Sequence, residues 1–225
     1  QWMRFCGRGN LDGALKQGKG ALLLFPHAGN VMMLIALLAH SGYDYAQVAA
    51  RGFPEDGALH NGAHRPSRLN QLAMAARERA EDSLQAEFIP FFRPRQMLRA
   101  LNRGAVLGLA FDGRASQHFI ETSYLGQRAY LARGPWKLAQ RYKVPIVPAI
   151  CAASPTGPHE LICFPAVYAT ESEDLGALQR RVTQDTIERF LTDQPEHYLR
   201  WLTHCRRHAG GDPYPLFPDT GPKHA

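Results

Sequence analysis

Three short runs of almost unbroken apolar residues constrain this chain more than any other feature: GALLLF at 20–25, AVLGLAF at 105–111 and VPIVPAIC at 144–151. Each has the length of a strand and none alternates with polar residues, so each is predicted to be covered on both faces. Helix-forming stretches separate them. VMMLIALLA at 31–39 follows Asn30, a natural N-cap. Residues 65–80 and 95–103 read as helices, the second stopped by Gly104, and 134–142 reads as a helix with Pro135 at its favoured first position. Further strands are predicted at 45–50, 87–92 and 160–164, a long helix at 175–193 and a last one at 196–208. Strands alternating with helices imply an α/β fold: a single domain with a mixed, mostly parallel sheet flanked by helices. We place that domain at 1–208 and read the Pro/Gly-rich residues 209–225 as an irregular tail.

The 225 residues suffice for one substantial core, and a hydrophobic content of 45% with 20% charged residues is that of a globular protein. The four cysteines, Cys6, Cys151, Cys163 and Cys205, form no CxxC pair, so they read as structural fillers in a reducing compartment. His204 and His208 share a helix face, but no third ligand lies near them and no metal site is expected. No Gly-rich phosphate loop and no Ser nucleophile elbow is present, so no cofactor is called for and α/β-hydrolase chemistry has no support.

A formal net charge of +6 favours an anionic partner: nucleic acid, a membrane surface or an acidic carrier protein. The arginines are dispersed and no zinc-finger, RRM or basic-zipper pattern appears, which leaves nucleic-acid binding as the third reading. Residues 21–39 are apolar enough to suggest a membrane span, but Pro26, His27, Gly29 and Asn30 interrupt them. Gln1–Gly20 lacks the apolar core of a signal peptide. Work at a membrane would then be peripheral, with any anchor outside this chain.

The break between the first apolar run and the helix at 31–39 carries a histidine, in the order Pro26-His27-Ala28-Gly29-Asn30. A neutral imidazole takes a proton from a hydroxyl at physiological pH. A loop at the carboxyl end of a strand, opening a helix, is where α/β sheets place ligands, and the helix N-terminus favours negative charge. The alternative reading is a histidine bonded to a loop carbonyl.

LLLFPHAGNVM resembles the corresponding segment of the lipid A biosynthesis acyltransferases, the lauroyl/myristoyl type within the glycerolipid acyltransferase superfamily. Their mark is a histidine, four residues, then Asp or Glu. GAVLGLAFDGR is similar to the family's strand ending in an Asp-initiated loop. SYLGQRAYLARGPWKLAQRYKVPIVPAI resembles the next segment, in which a Phe/Leu-Gly turn leads to a helix and a Pro-Ile-Val-Pro strand. DQPEHYLRWLTHCRRH is similar to the closing helix. The matches run in order from about residue 20 to residue 208.

The resemblance implies transfer of a fatty acyl group from an acyl carrier protein or coenzyme A thioester to a hydroxyl of a lipid or glycolipid. It implies His27 as general base and a peripheral place at the cytoplasmic face of a bacterial inner membrane. The basic surface suits anionic headgroups and an acidic carrier. One departure stands out: Met32 occupies the position of the motif's acid, and a thioether is at best a weak acceptor. Three readings follow. The acid comes from elsewhere, with Asp112, Glu121 and the Glu55-Asp56 pair as candidates; a backbone carbonyl orients the ring; or the chain binds acyl carrier or lipid without turning over. Arg77, followed by Arg79, matches a family arginine near the reacting centre, and Arg51 matches another; both are expected to bind substrate, with Gly29 and Asn30 beside them. For Arg77 the alternative is a solvated helix face paired with Glu81; for Asp112 it is a turn aspartate capping 113–115. Trp136 and Trp201 read as core or membrane-contacting aromatics.

Overall fold

The computed structural model describes residues 3–49, 68–114, 116–154, 156–209 and 212–218. Arg51, Glu55 and Asp56 lie outside the described residues.

The three apolar runs form the middle of one sheet. β2 (Ala21–Phe25) is flanked by β5 (Val106–Ala110) on one side and β8 (Ile146–Ala152) on the other, both parallel to it. The sheet continues from β5 through β3 (Tyr45–Ala49) to β4 (Glu87–Pro90), again parallel. Beyond β8 the direction reverses: β9 (His159–Cys163) runs antiparallel to it, and β1 (Met3–Cys6) pairs with β9 at the edge. Among the described residues the predicted mixed, mostly parallel sheet is therefore seven-stranded, in the order β1-β9-β8-β2-β5-β3-β4.

Alternation along β2 divides the core in two, as the pleat requires. Ala21, Leu23 and Phe25 join the side covered by α1 (Arg8–Leu15) and α2 (Val31–Ala39). Leu22 and Leu24 join the side covered by α4 (Pro94–Asn102), α5 (Gly134–Tyr142) and α6 (Leu175–Thr183). Trp136 is fully buried there against Phe111, so of its two readings the core one holds.

The predicted long helix continues from α6 through a π-helical turn, Gln184–Glu188, into α7 (Arg189–Asp193). The predicted last helix is a 3₁₀ turn, Pro195–His197, followed by α8 (Leu199–His208). α3 (Arg68–Asp82) ends slightly later than the sequence suggests.

Two features are additional to the sequence reading. One is the edge unit β1–α1. The other is an antiparallel hairpin of β6 (Phe119–Tyr124) and β7 (Gln127–Ala132). Its two-residue turn has both central residues at positive φ, Leu125 at 52° and Gly126 at 71°, the primed geometry that matches strand twist. Leucine adopts that conformation reluctantly, and Glu188 from the π-helical turn accepts its N–H at 2.7 Å. Residues 212–218 are fastened to this hairpin. Tyr130 N–H donates to Leu216 O at 3.0 Å, Arg114 pairs with Asp212 at 3.0 Å, and Phe217 stacks on Tyr124.

The cysteines behave as fillers. Burial pushes the thiols of Cys151, Cys163 and Cys205 up to about 12. At pH 8 about one in ten thousand of each would be thiolate. All three are therefore expected to resist alkylation by iodoacetamide at that pH in the folded chain and to react fully in denaturant, read by mass spectrometry.

Candidate active site

β2 and β5 lie in register, Phe25 opposite Ala110, and both end at the carboxyl edge of the sheet. The loops that leave them start side by side, and Phe111 N–H still reaches Phe25 O at 3.2 Å. Two residues past Phe25 is His27; two residues past Ala110 is Asp112. This is the crevice where a parallel sheet presents side chains to a ligand.

The two residues meet. His27 Nδ1 lies 2.7 Å from Asp112 Oδ1, and the backbone N–H of His27 donates to the same carboxylate at 3.1 and 2.9 Å. The Tyr198 hydroxyl donates to Asp112 Oδ2 at 2.8 Å. With an N–H, an O–H and a ring nitrogen converging on it, the carboxylate acts as acceptor throughout. Nδ1 therefore carries the proton of the His27–Asp112 bond and Nε2 is left with its lone pair. The Asp112 side chain is 0% exposed and that of His27 35% exposed, so the pair joins a buried end to an open one. Asp112 does not act as a simple turn cap.

The loop between β2 and α2 is held from three directions. Gly29 N–H donates to His197 O at 2.8 Å, Asn30 N–H to Cys151 O at 2.9 Å, and the Asn30 side chain caps α2 by accepting Met33 N–H at 3.2 Å. Gly29 is at φ 62°, and a Cβ there would stand 1.9 Å from Cys151 O. Only glycine fits. Gly29→Ala is expected to lower stability by about 3 kcal/mol or more, from left-handed strain plus displacement of the β8 end. A melting temperature equal to that of the native chain would contradict this.

Trp201 of α8 stacks on His27 with ring centroids 4.0 Å apart and planes inclined by 17°, and His204 stacks on the same indole at 5.1 Å. Tyr198 and Trp201 thus belong to the site, although the sequence reading gave them no such place. Their i, i+3 spacing puts both on one helix face, but nothing in the sequence says what that face meets.

Other expected site residues fall elsewhere. Glu121 is not the partner of His27: it sits exposed on the hairpin, bonded to Arg128 at 2.9 and 3.1 Å, and that guanidinium holds its carboxyl below the usual range. The backbone of β6 aims it along the hairpin surface, where a cross-strand arginine takes it. Met32, in the first turn of α2, is 40% exposed and takes no part in the polar network. Arg77 lies on α3, with its side chain outside the described ones. Arg51 lies outside them altogether. Among the described residues no three His, Cys, Asp or Glu side chains come together as a metal site, and no helix is long and apolar enough to cross a membrane.

The family model for bacterial lipid A biosynthesis acyltransferases matches residues 1–206 of the chain. No curated protein matches it.

Proposed function

The chain belongs to the bacterial lipid A biosynthesis acyltransferase family, and we propose that it moves a fatty acyl group from a thioester to a hydroxyl with His27 as general base and Asp112 as its orienting acid. The single observation that carries this reading is the 2.7 Å contact between His27 Nδ1 and a fully buried Asp112. The pairing supplies from β5 what Met32 lacks.

In the proposed reaction His27 Nε2 takes the proton of the acceptor hydroxyl as its oxygen attacks the thioester carbonyl carbon. The new C–O bond forms and the carbonyl oxygen becomes an oxyanion. Collapse of that intermediate breaks the C–S bond, and the imidazolium returns its proton to the departing sulfur. Asp112 keeps Nδ1 protonated and stabilises the imidazolium while it lasts. The first amides of α2, those of Val31 and Met32, four and five residues from His27, suit the oxyanion, and Arg77 and Arg51 are assigned to substrate phosphate or to the same oxygen.

The thioester is carried by acyl carrier protein or coenzyme A and the acceptor is a lipid or glycolipid. We place the protein peripherally at the cytoplasmic face of a bacterial inner membrane. Support for that placement comes from the +6 net charge together with exposed Met32, Leu69, Leu72 and Phe92.

Thiol release from long-chain acyl-CoA and acyl carrier protein, with and without a membrane-lipid extract, tests the proposal. Release that requires the extract is the expected result. Acyl-chain binding with no release under either condition would instead favour a silent binding relative, which Met32 alone would suggest.

A further inference from the structure

We propose that the start of the closing helix is part of the catalytic apparatus: Tyr198, just before α8, and Trp201, in its first turn, are positioning residues that hold the His27–Asp112 pair in working geometry. This deepens the proposed function and rests on His27 being the base.

The two residues act on opposite ends of the pair. Asp112 offers Oδ1 to the His27 ring, and Oδ2 is occupied by the Tyr198 hydroxyl at 2.8 Å and the His27 amide at 2.9 Å. A carboxylate fixed at both oxygens cannot rotate away from the ring. Tyr198 is 1% exposed, and burial, with the Asp112 charge beside it, pushes its phenol well above the ordinary value, so it remains a donor at any working pH. Trp201 fixes the other end. Its near-parallel stack at 4.0 Å sets the plane of the imidazole, and so the direction of Nε2. The indole face also carries negative potential, which favours the imidazolium formed when His27 accepts a proton. Trp201 is not held there by its own hydrogen bond: Nε1–H is buried with no acceptor among the described residues.

Among the described residues the groups that could influence such a titration are few. Asp112 and Tyr198 lie on the buried side; His204 shares the Trp201 indole. His197, from the 3₁₀ turn, packs under Gly29 and bonds Ala153 O at 3.3 Å. Cys205, raised to about 12, stays neutral, and Arg114 and Asp212, which act on it, neutralise each other at 3.0 Å.

The test is a histidine-labelled NMR titration of the full chain, with the His27 signal assigned through His27→Ala, run alongside acyl-transfer kinetics. Trp201→Leu removes the aromatic face and is expected to move the His27 midpoint down by roughly half a unit to one unit. Tyr198→Phe removes a donor from Asp112, leaves its charge more available to His27, and is expected to move the midpoint up by about half a unit. Both variants are expected to lower kcat about tenfold with KM unchanged, and Trp201→Phe, which keeps an aromatic face, to recover most of the loss. A merely structural role would loosen the site in both variants and move both midpoints the same way. Midpoints that stay fixed or move together overturn the proposal. Opposed displacements in a chain without turnover would uphold the positioning and overturn the reading of His27 as base. Should Trp201→Leu fail to fold, Trp201→Phe and Tyr198→Phe decide the matter through the same midpoints.

Discussion

Asp112→Asn is expected to lower acyl transfer by about 10³ to 10⁴-fold, the scale on which a mispositioned histidine tautomer slows a hydrolytic triad. The amide that replaces Oδ1 can turn an N–H toward His27 Nδ1, forcing that nitrogen to accept. The proton then sits on Nε2, the atom that has to receive one. Asp112 is fully buried and takes three donors, so the substitution also costs about 1–3 kcal/mol of stability. Comparing turnover at a temperature well below the melting transition separates the two effects. Met32→Glu is not expected to restore the Asp112→Asn variant, since His27 Nδ1 is turned toward the β5 loop. Restoration would show that position 32 can serve the ring and that the β5 acid is dispensable.

The second large effect is expected from His27→Ala, a loss of about 10⁴-fold in kcat with little change in KM, the upper end of what general-base catalysis contributes. Binding of the acyl donor should survive, because the substitution removes a proton acceptor and no part of an apolar surface. The gap left between Trp201 and Asp112 has the shape of the missing ring. Added imidazole is therefore expected to restore part of the rate, in proportion to its unprotonated fraction. Native turnover in His27→Ala would remove the base from the mechanism.

Much of the fold was legible because it depends on local pattern. The runs at β2, β5 and β8 are apolar on both faces, and Asn30 and Pro135 mark helix starts that the structure reproduces. β1 was not legible: it is four residues long, and its partner is 156 positions away, at His159. Of the β6–β7 hairpin only the Leu-Gly turn was read, through the family resemblance; the strands beside it were not, since Leu125 is a poor residue for positive φ and is held there by Glu188 from a distant helix.

The site divides along the same line. His27 announced itself by chemistry and position, and Asp112 stood among the candidate acids. What singles it out from Glu121 is the pairing of β5 beside β2 in register, a tertiary fact that periodicity does not encode. Tyr198 and Trp201 were more hidden still. They reach the pair only because the chain after α7 returns across the carboxyl edge of the sheet, where His197 O takes the Gly29 amide.

The most direct test of the central claim is a double-variant cycle of thiol release from acyl carrier protein thioester, measured on the native chain, His27→Ala, Asp112→Asn and both together. Residues acting as one unit are not additive. The prediction is that the double variant is slower than His27→Ala by no more than about threefold, since Asp112 acts only through the ring. Equal turnover in Asp112→Asn and the native chain, or a double variant slowed by the full Asp112 factor beyond His27→Ala, would show that the two do not form one catalytic pair.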